Sequence, residues 1–111
     1  MIITNGTVIG YLNALQLISD VEFPVSITYA IKKNHRKLVS EYKDYEEQKN
    51  SLMERFPKVE KDPEYIKALQ ELLDIEVSVD FHMLSESIFE NGDFNITAAQ
   101  LEILEFMIET E

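Results

Sequence analysis

A chain of 111 residues with 45% apolar and 28% charged side chains has the composition of one globular domain with a single modest core, which excludes collagen-like and disordered classes. Ten Lys and Arg stand against 21 Asp and Glu, a formal charge of −11, and the absence of cysteine excludes a disulfide framework, a thiol nucleophile and a cysteine zinc site. The opening MIITNGTVIGYLNALQLIS has no basic leader, and no run reaches the roughly 18 apolar residues of a membrane span, so a cytoplasmic protein with no membrane partner is expected.

In chain order, Val8, Tyr11, Leu12, Leu15 and Ile18 recur at spacings of three and four, which predicts an amphipathic helix over 5–19 with Thr4 or Asn5 as its N-cap. Pro24 biases Phe23 away from the helical region and breaks the pattern. A long helix follows, starting between Val25 and Tyr29, with Ile27, Ile31, Leu38, Tyr42, Tyr45, Leu52 and Phe56 on one stripe and Pro57 as its stop. A helix of about 30 residues is about 45 Å long, which outruns the core of a small domain, so its far end calls for a partner helix or a second copy. Asp62 before Pro63 predicts the cap and first turn of a third helix bearing Tyr65, Ile66, Leu69, Leu72 and Leu73.

Ile75, Val77, Val79 and Phe81 then alternate with Glu76, Ser78, Asp80 and His82, which predicts a strand with one buried face. Its ladder partner is Met1–Thr4, Phe94–Ile96, Phe23–Tyr29 or a strand of another chain. MLSESIF predicts a helical turn and NGD a tight turn. Thr97 with Gln100 predicts a capping box for a last helix lined by Leu101, Leu104, Met107 and Ile108, with Ile96 and Leu101 as a hydrophobic staple. The fold class expected is α+β, mainly helical: one long amphipathic helix packed by shorter helices, with a small β-sheet built on residues 75–82, in a single domain over 1–111.

The chemical motifs are sparse. Asn91, Asp93, Asn95, Thr97 and Glu102 fall on calcium-loop positions, but Ile96 stands where the loop needs glycine, and the segment reads as a turn and helix cap. Asp80 and His82 share the wet side of the strand near Glu76, short of a catalytic metal set with its second shell. Gly6, Gly10 and Gly92 make no phosphate loop. No catalytic group, metal or cofactor is expected, and the chain is not read as an enzyme.

Charge is segregated. Residues 1–67 hold 10 acidic and 10 basic side chains, whereas 68–111 hold 11 acidic and none basic. Lys32, Lys33, Arg36 and Lys37 form the densest basic group. Either this group packs beside the acidic third, or the acidic third faces solvent and meets a basic partner. Direct nucleic-acid binding is not expected from one basic patch on so acidic a chain. The candidate contact residues are Glu71, Asp74, Glu76, Asp80, Glu86, Glu90, Asp93, Glu102 and Glu105, joined by Tyr42 and Tyr45 in the polar middle of the long helix. The alternative for the two tyrosines is packing on the third or the last helix.

The order ITNG and helix, FPVSITYAIKKN running into a Lys/Glu-rich helix, ELLDIEVSVDFH, then ITAAQLEILEFMI resembles a family of small uncharacterised proteins encoded by phages and prophages of Gram-positive bacteria. The likeness spans nearly the whole chain and brings no active site with it. It implies expression in a bacterial cytoplasm. The expected function is a non-enzymatic phage accessory that binds a host protein through its acidic surface, an inhibitor of a nucleic-acid-processing or defence system such as an anti-CRISPR. The alternative is a phage head or tail assembly protein acting by homo-oligomerisation.

Overall fold

A short strand, β1 (Ile2–Thr4), runs directly into α1 (Asn5–Leu17), and Thr4 is the cap: its Oγ1 accepts from the Thr7 N–H at 3.1 Å. This computed structural model describes residues 1–56, 62–92 and 94–110, and only the backbone of Asn91. Asn5, the other candidate cap, is buried and reaches away from its own helix. Its Nδ2 donates at 2.9 Å to the carbonyl of Leu72, near the end of α3 (Pro63–Leu73), where helical carbonyls lack intrahelical partners.

Pro24 precedes α2 (Val25–Arg55), whose 31 residues set the long axis of a 54 × 25 × 19 Å molecule. The helix ends where expected, with Phe56 as C-cap, although Pro57 itself lies outside the described residues. Its far end finds its partner within the chain. Asp62 caps α3 through its side chain and Pro63 takes the first helical position. The rings of Phe56 and Tyr65 then meet edge-on at 6.1 Å, with Tyr45 buried nearby.

Burial, with Tyr42 and Tyr65 beside it, raises the Tyr45 phenol above its ordinary value of 10.0. The protonated phenol is therefore favoured in the folded state. The stability this contributes is complete below pH 10.0 and is lost as pH rises from there through the folded-state value. Melting temperature followed from pH 8 upward should fall above about pH 10, and Tyr45→Phe should flatten that fall.

The strand expected over 75–82 is shorter: only β2 (Glu76–Ser78) forms a ladder, antiparallel to β1 with Ile3 opposite Val77. Met1–Thr4 is thus the partner among the four expected. Ile75, assigned to the buried face, is 51% exposed, because it turns the chain out of α3 and its carbonyl is taken by the Asn5 N–H at 3.0 Å. Val79 and Phe81 point inward as the alternation requires; Val79 still exchanges backbone bonds with Met1 at 2.9 and 3.0 Å, but beyond it side chains of α2 bond the backbone at Asp80 and His82. Period-two burial without a ladder is an extended segment, not a strand.

The C-terminal part departs further. After β3 (Leu84–Ser85) and α4 (Ser87–Asn91), the capping box of Thr97 and Gln100 opens α5 (Ala98–Leu104), with both reciprocal bonds at 3.1 Å. The expected last helix stops at Leu104. Glu105–Met107 tightens into a 3-10 turn and Ile108 starts β4 (Ile108–Glu109), which pairs in parallel with β3. Leu101, expected in the core, is 39% exposed.

One buried cluster joins these parts, from Ile3 and Val8 through Ile27, Ala30 and Leu38 to Leu104 and Met107. Tyr11, partly buried against this cluster, stacks on Phe106 at 4.1 Å, and Phe81 meets Phe106 edge-on at 5.0 Å. The architecture is α+β and mainly helical, a long helix packed by shorter ones with two small two-stranded sheets. No helix among the described residues is long and apolar enough to cross a membrane.

Two glycines give opposite expectations. A Cβ at Gly92 would sit 2.6 Å from the Ile88 carbonyl oxygen and against the Phe94 ring, whereas one at Gly10 would meet nothing within 4 Å. Gly92→Ala should cost about 1–3 kcal/mol in chemical denaturation, while Gly10→Ala, inside α1, should stabilise by about 0.5–1 kcal/mol.

Candidate functional site

Four of the carboxylates singled out in the sequence converge on one place. Glu86 and Glu90 lie one helical turn apart at and in α4, while Glu102 and Glu105 lie three apart along α5 and the turn that follows. Together they rim a groove of about 470 Å³ whose apolar surface comes from Phe89, Ala98, Leu101 and Ile108. The backbone fixes the α4 wall: Glu86 N–H donates to the Glu109 carbonyl at 3.2 Å, and the Glu86 carbonyl accepts from Phe89 N–H at 3.0 Å, tying the start of α4 to the β3–β4 ladder.

A second groove of about 590 Å³ runs along the other flank of α5, with Tyr11 and Ala14 of α1 as its far wall and Ala99, Ile103 and Phe106 within it. Glu102 and Glu105 line this groove too. The helix α5 is therefore a ridge between two furrows, with Leu101, Glu102 and Glu105 exposed on it.

Among the described residues none of these carboxylates is ion-paired, and no three His, Asp or Glu side chains are placed to hold a metal ion. Like charges one turn apart repel by a few tenths of a kcal/mol per pair. The cluster weakens the fold that carries it, and a cationic partner would relieve that repulsion.

The other predicted positions are dispersed. Glu71 and Asp74 are exposed on α3 and its cap, where Asp74 Oδ1 accepts from Gln70 Nε2 at 3.0 Å. Glu76 is exposed on β2 opposite Thr4, and the Asp80 side chain is exposed just beyond. None of these four lines the acidic groove. Asp93 lies outside the described residues. Tyr45 is buried, and Tyr42 packs partly against the core with its ring 5.8 Å from that of Tyr45.

Of the basic side chains in this stretch, Lys37 reaches the C-terminal third, its Nζ donating to the Asp80 carbonyl. The chain matches no protein-family model, no curated protein and no solved structure. Geometry and charge therefore carry the functional reading.

Sequence reasoning missed the apolar part of the groove and the residue that holds this half of the molecule together. Phe89, Leu101 and Ile108 carry no local sign of lining a groove, since that depends on how α4 lies against α5. Asn34 did carry a sign. It sits inside KKNHRK but at the spacing of the buried stripe, four after Ala30 and four before Leu38. It is fully buried, its Nδ2 donates at 2.9 Å to the His82 carbonyl and its Oδ1 accepts at 2.7 Å from the His82 N–H. Nδ2 also lies 3.5 Å from the Met107 sulfur.

Proposed function

We propose that this protein is a non-enzymatic, phage-encoded accessory that binds a basic, amphipathic segment of a host protein along α5, inhibiting a nucleic-acid-processing or defence system. The carrying observation is the apolar groove rimmed by Glu86, Glu90, Glu102 and Glu105, with no Lys or Arg among the described residues that line it. Apolar surface supplies affinity and the carboxylates supply orientation and encounter rate, the combination that fits a helix with Leu or Phe on one side and Lys or Arg at its edges. Protein surfaces that grip a phosphate backbone are basic, so an acidic ridge competes for them.

A second reading is assembly of phage particles by oligomerisation. Leu17 and Val25, at the junction of α1 and α2, are 80% and 86% exposed, an apolar pair suited to burial against another copy. Light scattering separates the two. A monomer that captures nucleic-acid-binding proteins from bacterial lysate at low salt supports the inhibitor, whereas a defined oligomer that captures only phage structural proteins overturns it.

A further inference from the structure

A third groove, of about 750 Å³, lies between α1 and α2, on the opposite side of α1 from the acidic ridge. At about 100° per residue, Ile9, Asn13 and Gln16 share one side of α1, while Tyr11 and Ala14 face the other. Apolar surface in this groove comes from Leu12 of α1, Val21 and Phe23 of the connection, and Ile31 of α2, each partly exposed. Lys32, His35 and Arg36 stand along its α2 wall at i, i+3 and i+4, all exposed. Asn13, Gln16 and Ser19 form the facing wall.

In a chain with 21 acidic residues against 10 basic ones, no acidic side chain is among the described residues that line this groove, although Asp20 and Glu22 are exposed in the connection beside it. Its volume lies in the range of about 300–1,000 Å³ typical of small-molecule sites. Thr28, at the same end as Phe23, spends its hydroxyl on the Phe23 carbonyl at 3.2 Å, so that end offers a ligand apolar contact.

We propose that this groove binds a single-chain anionic amphiphile, a free alkyl carboxylate whose tail lies on Leu12, Val21, Phe23 and Ile31 and whose head group meets Lys32, His35 and Arg36. The net charge of −11 disfavours an anion at the protein surface in general, whereas the cations of this furrow attract its head group. The site is independent of the acidic ridge and of the function proposed for it.

The test is a nuclear magnetic resonance titration with decanoate, with decyltrimethylammonium and with butyrate. Decanoate should shift the resonances of Leu12, Val21 and Ile31 saturably. Decyltrimethylammonium should instead shift Phe89, Leu101 and Ile108, and butyrate, lacking the tail, should bind at least tenfold more weakly than decanoate. Lys32→Glu with Arg36→Glu should weaken decanoate tenfold or more, and Gln16→Glu, which puts a carboxylate on the facing wall, should weaken it without touching the basic wall. No saturable shift at Leu12, Val21 and Ile31, equal shifts there by both amphiphiles, or an affinity unchanged in both variants overturns the proposal. So does concentration-dependent self-association that occupies the groove and resists decanoate.

Discussion

Asn34→Ala should lower the unfolding free energy by about 3–4 kcal/mol in a urea titration. The substitution empties a fully buried site and removes both partners of the His82 backbone, whose N–H and carbonyl then lie against α2 with nothing to bond. An unpaired buried polar group costs about 1–3 kcal/mol, and the cavity adds to it. Against a total stability of about 5–15 kcal/mol for a domain this is a large share. Asn34→Leu fills the space but leaves the same two groups unpaired, so it should rescue little. A loss below about 1 kcal/mol for Asn34→Ala would show that water replaces the amide and that α2 and the 79–83 segment do not depend on it.

Reversing Glu102 and Glu105 to Lys should weaken binding of a basic amphipathic helix about 100-fold at low salt, and should slightly raise the melting temperature. The two effects have one cause. Both residues line both furrows beside α5, so reversal removes the attraction offered to a cationic partner and relieves their repulsion from Glu86 and Glu90. A peptide with Leu on one face and Lys at its edges serves as the probe. Raising salt from about 0.1 M to about 1 M shrinks the screening length from about 10 Å to about 3 Å, and should weaken the unmodified protein far more than the reversed one. Reversal at Glu71 and Asp74, which do not line the groove, is the control. Equal losses at the two places would reduce the effect to net charge and remove the ridge as a site.

Local signals carried the helical frame. The stripe from Ile27 to the helix end at Phe56, Asp62 before Pro63, and Thr97 with Gln100 each act over a few residues, and each appears where the sequence places it. Capping and backbone restriction are decided by immediate neighbours, so they survive whatever the rest of the chain does. The acidic character of the last 44 residues was equally legible, being a count.

Contacts distant in sequence decided the rest. The alternation from Ile75 to His82 is real in burial, yet pairing with the first strand reaches only to Val79, which bonds Met1, and beyond it Lys37 takes the Asp80 carbonyl and Asn34, 48 residues from His82, takes the His82 backbone. Met107 and Ile108 continue a helical spacing, yet β3 draws Ile108 and Glu109 into a parallel pair, and the helix gives way to a 3-10 turn. That same turn brings Glu105 beside Glu102, Glu86 and Glu90. Periodicity reports which side chains want burial. It does not report which donor or acceptor will satisfy the backbone, and that choice, made between residues far apart, placed Glu86, Glu90, Glu102 and Glu105 around one groove and left Glu71, Asp74, Glu76 and Asp80 away from it.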